Sequence, residues 1–201
     1  AKAWVALSGW DGEMGERGAP ALFALVERHL QQAIFQDEAT AAKLARFGNR
    51  WRLLRLLDGR MSADWFDDVS TPAKEDRAAA VEAALAAAWQ EGERRWGPKV
   101  AEWPYAGIHN LTLDHTLGSA PFFGRLFNRG PFATSGWGSI VNATGSNLSC
   151  YGRSEDPCDN PYAVTTVPSM RMILDVTNWD AGRMIHTTGQ SGHPLSPHYI
   201  D

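Results

Sequence analysis

The chain has 201 residues, 44% of them hydrophobic and 21% charged, with a net charge of −4 and an isoelectric point near 5.9. That length supplies one domain with a real core, and the mildly acidic balance leaves no electrostatic footprint for nucleic acid. No run is long and apolar enough to span a membrane; the nearest, Leu22 to Phe35, is interrupted by Glu27, Arg28, His29, Gln31 and Gln32.

The start Ala1-Lys2-Ala3-Trp4 lacks the charged-then-apolar pattern of a signal peptide and has no initiator Met, and the chain stops at Tyr199-Ile200-Asp201. Both ends read as cuts in a longer polypeptide. Trp10-Asp11-Gly12 is a turn. Pro20 then opens an amphipathic helix carrying Leu22, Phe23, Leu25, Val26, Leu30, Ile34 and Phe35 at helical spacing. Asn49-Arg50-Trp51 starts a second helical run through Leu53, Leu54, Leu56 and Leu57, stopped by Asp58-Gly59. Trp65 to Val69 is a short apolar and acidic patch before the turn Ser70-Thr71-Pro72. Lys74 to Trp96 is the strongest helix, rich in alanine, leucine and glutamate and terminated by Gly97-Pro98. Its small side chains predict close packing against a neighbour. Nine tryptophans predict dense packing between segments rather than a ligand cage.

After Trp103-Pro104 the pattern changes. Thr112 to His115 and Ser139 to Ala143 read as strands, separated by Gly, Pro, Ser and Asn clusters. Met170 to Val176 is the clearest strand, Asn178 to Gly182 a turn, and Arg183 to Thr187 the antiparallel partner. A helical first half (1–103) and a second half (104–201) of antiparallel strands predict an α+β chain, one segment without internal repeats.

The chemistry-bearing residues are sparse. Gly189-Gln190-Ser191-Gly192-His193 resembles a nucleophile elbow, but its second glycine comes one place too early. His-Glu-x-x-His, a phosphate loop and a dinucleotide fingerprint are all missing, so no cofactor is assigned. His29, His109, His115, His186, His193 and His198 stand at no spacing that makes a triad, and each reads as structural. His193 and His198 are the least ordinary, because prolines and a serine fix their loop. Asp67-Asp68 and the loop of Glu155, Asp156 and Asp159 can offer oxygens to calcium, but such pairs more often cap helices or face solvent. No metal and no catalytic residue is assigned. Cys150 and Cys158 are the two cysteines. They flank a polar loop and no His stands near at zinc-ligand spacing. They are either a pair closing a short disulfide ring, as suits an oxidising compartment, or two unpaired thiols; their loop setting favours the ring.

Several segments, in order, resemble the penicillin acylase family of N-terminal-nucleophile hydrolases, in the later part of the β subunit. They are Trp10-Asp11-Gly12 with Gly18 to Phe23 and Phe35 to Glu38; Trp65 to Pro72; His109 to Thr112; Leu126 to Phe132; Val141-Asn142-Ala143; Pro168 to Asp175; and Gly189-Gln190-Ser191-Gly192 with Ser196-Pro197-His198-Tyr199. Each piece is weak alone, but their order along the whole chain makes the resemblance specific. It implies an αββα sandwich of which this chain is a part, and a precursor that cuts itself into α and β subunits. It also implies an N-terminal residue, normally Ser, that attacks the amide carbonyl with its own α-amino group as base. Ala1 has no nucleophilic atom, and the family's oxyanion Asn, acyl pocket and calcium ligands precede the Trp-Asp-Gly segment. The resemblance therefore makes this chain a scaffold of an acylase that cleaves a small or fatty acyl amide, such as a penicillin side chain or an acyl-homoserine lactone. Its partners would be the α subunit and the N-terminal part of the β subunit, in the periplasm or outside the cell, with no nucleic acid and no membrane. The other reading is a non-enzymatic binding module that reuses this piece of the fold.

Overall fold

The structure is a computed structural model, and it describes residues 2–41, 50–120, 122–141, 143–148, 160–186 and 188–200. Cys150, Cys158 and the loop of Asp156 and Asp159 lie outside the described residues. The chain divides into two compact units, one of residues 1–108 and 147–162, the other of 109–146 and 163–201.

The first unit is helical, with α1 (Lys2–Ser8), α2 (Ala19–Ala41), α3 (Arg50–Leu57), α4 (Arg77–Trp96) and α5 (Tyr105–Ile108). In α2, Pro20 sits in the first turn, where its missing N–H has no intrahelical partner to lose. Leu22, Leu25, Leu30 and Ile34 are buried, as the periodicity predicts. α3 ends where Asp58-Gly59 foretold, with Gly59 at φ 71°. α4 begins at Arg77 rather than Lys74, because the Asp76 carboxylate accepts from the Ala79 N–H at 2.9 Å and caps the first turn. Gly97, at φ 86°, closes the other end by donating to the Glu93 carbonyl.

α4 buries a seam of Ala80, Ala84, Ala88 and Gly92, one small residue per turn, and packs chiefly on α2. At Gly92 the seam has no side chain at all. The indole of Trp103, fully buried, fills the space, and a Cβ at position 92 would overlap its ring. Trp89 and Trp96 flank that indole at 5.4 and 5.7 Å between centroids, and its Nε1–H donates to the Gly97 carbonyl at 2.8 Å.

α2 also carries charge into this core. Glu27 forms an ion pair with Arg50 Nη1 at 3.2 Å and accepts from Gln31 Nε2 at 3.4 Å; burial still pushes its carboxyl above the usual range. Glu91 of α4 is hydrogen-bonded to His29 Nε2 at 2.7 Å and forms an ion pair with Arg95 at 2.6 Å. Burial raises its carboxyl, but the His29 hydrogen bond and the Arg95, His29 and Arg94 charges together outweigh burial and leave it below the usual range.

The second unit holds the strands: β1 (Asn110–Leu113), β2 (Arg129–Ala133), β3 (Gly145–Ser146), β4 (Val164–Thr166), β5 (Met170–Ile173) and β6 (Arg183–His186), with a short helix α6 (Gly124–Phe127). Four of them form a sheet in the order β2-β1-β4-β3, and β5-β6 is a separate antiparallel hairpin. The hairpin predicted between 170 and 187 is present, with Met172 opposite Met184. β5 stops at Ile173, short of Val176, because the Asp175 carboxylate accepts from the Thr177 N–H and hydroxyl and turns the chain.

Three strand predictions need correction. Ser139 to Val141 is a turn, not a strand: the Trp137 carbonyl accepts from the N–H of both Ile140 and Thr144, which folds the segment back on itself. β2 is a strand despite Pro131. It lies at the sheet edge, where a proline's missing N–H costs no ladder bond. The strands are also not all antiparallel, since β1 and β4 run parallel at Leu111 and Val164. The chain is thus α+β, with one mixed and one antiparallel sheet.

Gly92→Ala is expected to destabilise the protein by about 1–3 kcal/mol, because the added methyl must displace a fixed indole; urea unfolding measures it. Because the Glu91 carboxyl is held down in the folded state, its stabilising contribution is present above the unfolded glutamate pKa, roughly 4.3. That contribution is lost as pH falls through the lower folded value. Urea midpoints from pH 6 to roughly pH 3 should fall less steeply in Glu91→Gln than in the parent, and parallel curves would contradict the pairing.

Candidate functional site

The candidate site is the tail that the sequence singles out, Gly189 to Tyr199, together with the segments it meets. Gly189, at φ 89°, brings two stretches of backbone together. A Cβ there would lie 2.6 Å from the Tyr199 carbonyl oxygen and 2.8 Å from that of His198. The closure is made by the N–H groups of Gln190 and Ser191, which both donate to the His198 carbonyl at 2.9 and 2.8 Å. Inside the loop the polar side chains make turns. Ser191 Oγ accepts from the His193 N–H, His193 Nδ1 from the Leu195 N–H, and Ser196 Oγ from the His198 N–H.

Ser191 needs a base to become a nucleophile. The bond made by its oxygen is an accepted one from backbone, and the nearest histidine in sequence has Nδ1 turned to Leu195 N–H. These contacts give Ser191 and His193 the work of shaping a loop.

The loop is anchored by a residue from a different part of the chain. Arg129 donates to the Pro194 carbonyl at 3.0 Å, to Leu126 at 2.7 Å and to Asn128 at 2.9 Å. Its guanidinium also lies 4.6 Å from the centre of the Tyr199 ring. The Tyr199 hydroxyl returns a bond of 2.7 Å to the Phe127 carbonyl. Two segments that carried the resemblance separately, Leu126 to Phe132 and Ser196 to Tyr199, therefore form one structure. In the sequence Arg129 is only one residue of the Leu126 to Phe132 pattern, and its geometric role has no signal in sequence spacing.

The remaining histidines are accounted for one by one. His109 is fully buried, with Nε2 3.0 Å from Thr144 Oγ1, while that hydroxyl gives its single proton to the Ser135 carbonyl. His109 Nε2 must then carry the proton and donate it. His115 Nδ1 accepts from the Leu117 N–H, and its ring stacks on Phe127 at 4.8 Å. His186 is in β6, and His29 pairs with Glu91 in the first unit.

Asp67 and Asp68 turn their oxygens to the chain itself. Asp67 accepts from the Glu75 N–H, and Asp68 from the Ser70 N–H and hydroxyl, which hold the Asp68 carboxyl below its usual range. Among the described residues, no group of three or more His, Cys, Asp or Glu side chains is placed to hold a metal ion.

Gly189→Ala should open the tail loop and cost about 2 kcal/mol or more, from backbone strain at a positive φ plus the clash with Tyr199. A lowered urea midpoint together with loss of amide protection at Gln190 and Ser191 is the expected readout, and an unchanged midpoint would contradict the close approach.

A family profile described as penicillin amidase matches residues 1–201. An acyl-homoserine lactone acylase, QuiP, of Pseudomonas syringae pv. syringae is 31% identical over 216 residues, which cover 100% of this chain and 24% of that protein. The QuiP acylase of Pseudomonas syringae pv. tomato is likewise 31% identical, over 214 residues and 24% of its length. That of Pseudomonas aeruginosa is 30% identical over 71% of this chain and 17% of its own length. This chain therefore spans about a quarter or less of the curated relatives it matches. With a match from its first residue to its last, the chain belongs to the penicillin amidase family.

Proposed function

We propose that this chain is a structural segment of a larger acylase that hydrolyses the amide bond of an N-acyl substrate. The observation that carries the reading is the family match over the whole chain, joined to relatives four times its length that are named acyl-homoserine lactone acylases. A fatty acyl amide is the substrate class favoured by those names; the amide of a penicillin side chain is the other member of the class. In the proposed reaction, a nucleophilic oxygen outside this segment adds to the amide carbonyl and the amine leaves with a proton. Water then attacks the acyl ester, releasing the carboxylic acid and restoring the nucleophile.

The segment's share is scaffold. Its tail residues Ser191, His193 and Ser196 are engaged in turns. Met170, Met172 and Met184, on one face of the β5-β6 hairpin, stand open at 61%, 47% and 63% exposure. That apolar face suits the remainder of the acylase, its α subunit and the earlier part of its β subunit, as the covering partner. A disulfide between Cys150 and Cys158 and a periplasmic or secreted location complete the proposal.

The test is an assay of amine and acid release from a fatty acyl-homoserine lactone and from a phenylacetyl amide. The full-length protein should turn over at least one of them and the 201-residue chain neither. Turnover by the chain alone would overturn the scaffold reading, and failure of the full-length protein on both would overturn the hydrolase reading.

A further inference from the structure

A pocket of about 280 Å³ lies in the second unit beside the turn that Trp137 closes with Ile140 and Thr144. Its apolar lining includes Leu111, Ile140 and Val167, and among the described residues its one charged lining residue is Arg171 of β5, which is exposed to solvent. Among the described residues, the Arg171 guanidinium makes no hydrogen bond and no ion pair, and the Ser135 hydroxyl, on the same lining, has no partner either. The Thr144 hydroxyl, by contrast, is already held between His109 and the Ser135 carbonyl.

The space depends on a missing side chain. Gly136, at φ 90°, also lines the pocket. A Cβ there would stand 3.0 Å from Thr144 Oγ1 and 3.3 Å from Ile140 Cδ1, two of the groups that bound the opening.

We propose that this pocket binds the carboxylate of a short aliphatic acid, with the headgroup on Arg171 and Ser135 and the chain on Leu111, Ile140 and Val167. Among the described residues the lining carries a single cation and no counter-charge, which selects an anion. A planar guanidinium with two parallel N–H groups matches a carboxylate. The apolar wall selects a hydrocarbon tail over a bare inorganic ion, and the volume limits that tail to a few carbons. The inference stands on the geometry of this unit and does not require the chain's parent to be a hydrolase.

The test reads the pocket itself. In the full-length protein, the Ile140 δ1 methyl is labelled with ¹³C, assigned by Ile140→Val, and followed by NMR as hexanoate is added. The expected result is a saturable shift with an affinity of about millimolar, as suits so small a ligand. Hexanamide, which has the same tail and no charge, should shift the methyl little. Arg171→Gln should weaken hexanoate about tenfold or more, Arg171→Lys should restore part of the affinity, and Arg183→Gln should leave it unchanged.

Equal shifts from hexanoate and hexanamide would show an apolar cavity and overturn the carboxylate assignment. An Ile140 methyl unmoved by either ligand, as when a carboxylate side chain from elsewhere in the protein fills the pocket, would overturn binding altogether. Because the comparison of the two ligands uses the unsubstituted protein, a variant that fails to fold leaves the outcome decided. Acid release measures the hydrolase reading separately, so the failure of one is distinguishable from the failure of the other.

Discussion

The absence of a side chain at Gly92 sets the arrangement of the first unit. An indole is the largest group a core can hold, and Trp103 reaches the surface of α4 only because Gly92 leaves a gap there. Trp89 and Trp96 form the rims of the gap, about two turns apart along the same helix face with Gly92 between them, and the Gly97 carbonyl takes the indole proton, so the ring is held on its sides and at its polar edge. The backbone of Trp103 carries the arrangement onward. Its carbonyl accepts from the Gly18 N–H at 2.9 Å, and the Gly18 carbonyl in turn accepts from Ala21 in the first turn of α2. The seat of one side chain thus fixes where α2 begins relative to where α4 ends. The run of small residues on α4 lets the rest of α2 follow.

That close packing explains how α2 tolerates Glu27, Arg28 and Gln31 among its buried residues. A buried charge is costly unless it is paired and hydrogen-bonded; Gln31 donates to Glu27 one turn away on the same helix, and the two charged residues each have a partner at a distance in sequence. Arg28 donates to the Leu148 carbonyl, and Glu27 meets Arg50 at the start of α3. The two glutamates of the core show that pairing alone does not decide the balance. Glu27 has one arginine and remains dominated by burial. Glu91 has a histidine and two arginines and is dominated by them. The charges that interrupt the apolar run of α2 are therefore structural ties, and they connect elements that the hydrophobic seam does not reach.

The helices α2, α3 and α4 were legible because their signals are local, while the short α1, α5 and α6 carry no such signal. Asp76, Gly97 and Gly59 act within a few residues of the ends they define, and the burial of α2 follows its period. The strands were legible only where the pairing was also local, as in β5-β6. β1 and β4 are separated by more than fifty residues, and nothing in the short runs of β2, β3 or β4 announces a partner so far away. Ile140 and Val141 have strand-forming side chains, yet the carbonyl of Trp137 draws their segment into a turn; propensity gave way to local backbone hydrogen bonds. The tail was conspicuous as a pattern and silent as chemistry. The glycine spacing excluded an elbow, but only the structure shows Gly189 pressed against Tyr199 and Arg129 crossing to Pro194.

Arg129 and Arg171 contrast, since both lie on strands of the second unit and both stand in the sequence only as members of a longer pattern. Arg129 spends its donors on three backbone carbonyls and covers an aromatic ring, so its charge is absorbed by the fold. Replacing it would leave carbonyls unpaired and loosen the tail, a loss of structure. Among the described residues Arg171 has the same fork of donors and no protein partner, and it stands on the wall of a pocket that also carries Leu111, Ile140 and Val167. Its guanidinium is exposed to solvent, so its donors stay open to an anion that enters the pocket. The residue type is identical in the two cases; the difference lies in whether the neighbouring backbone supplies acceptors, and that difference separates an arginine that builds the fold from one left available to an anion.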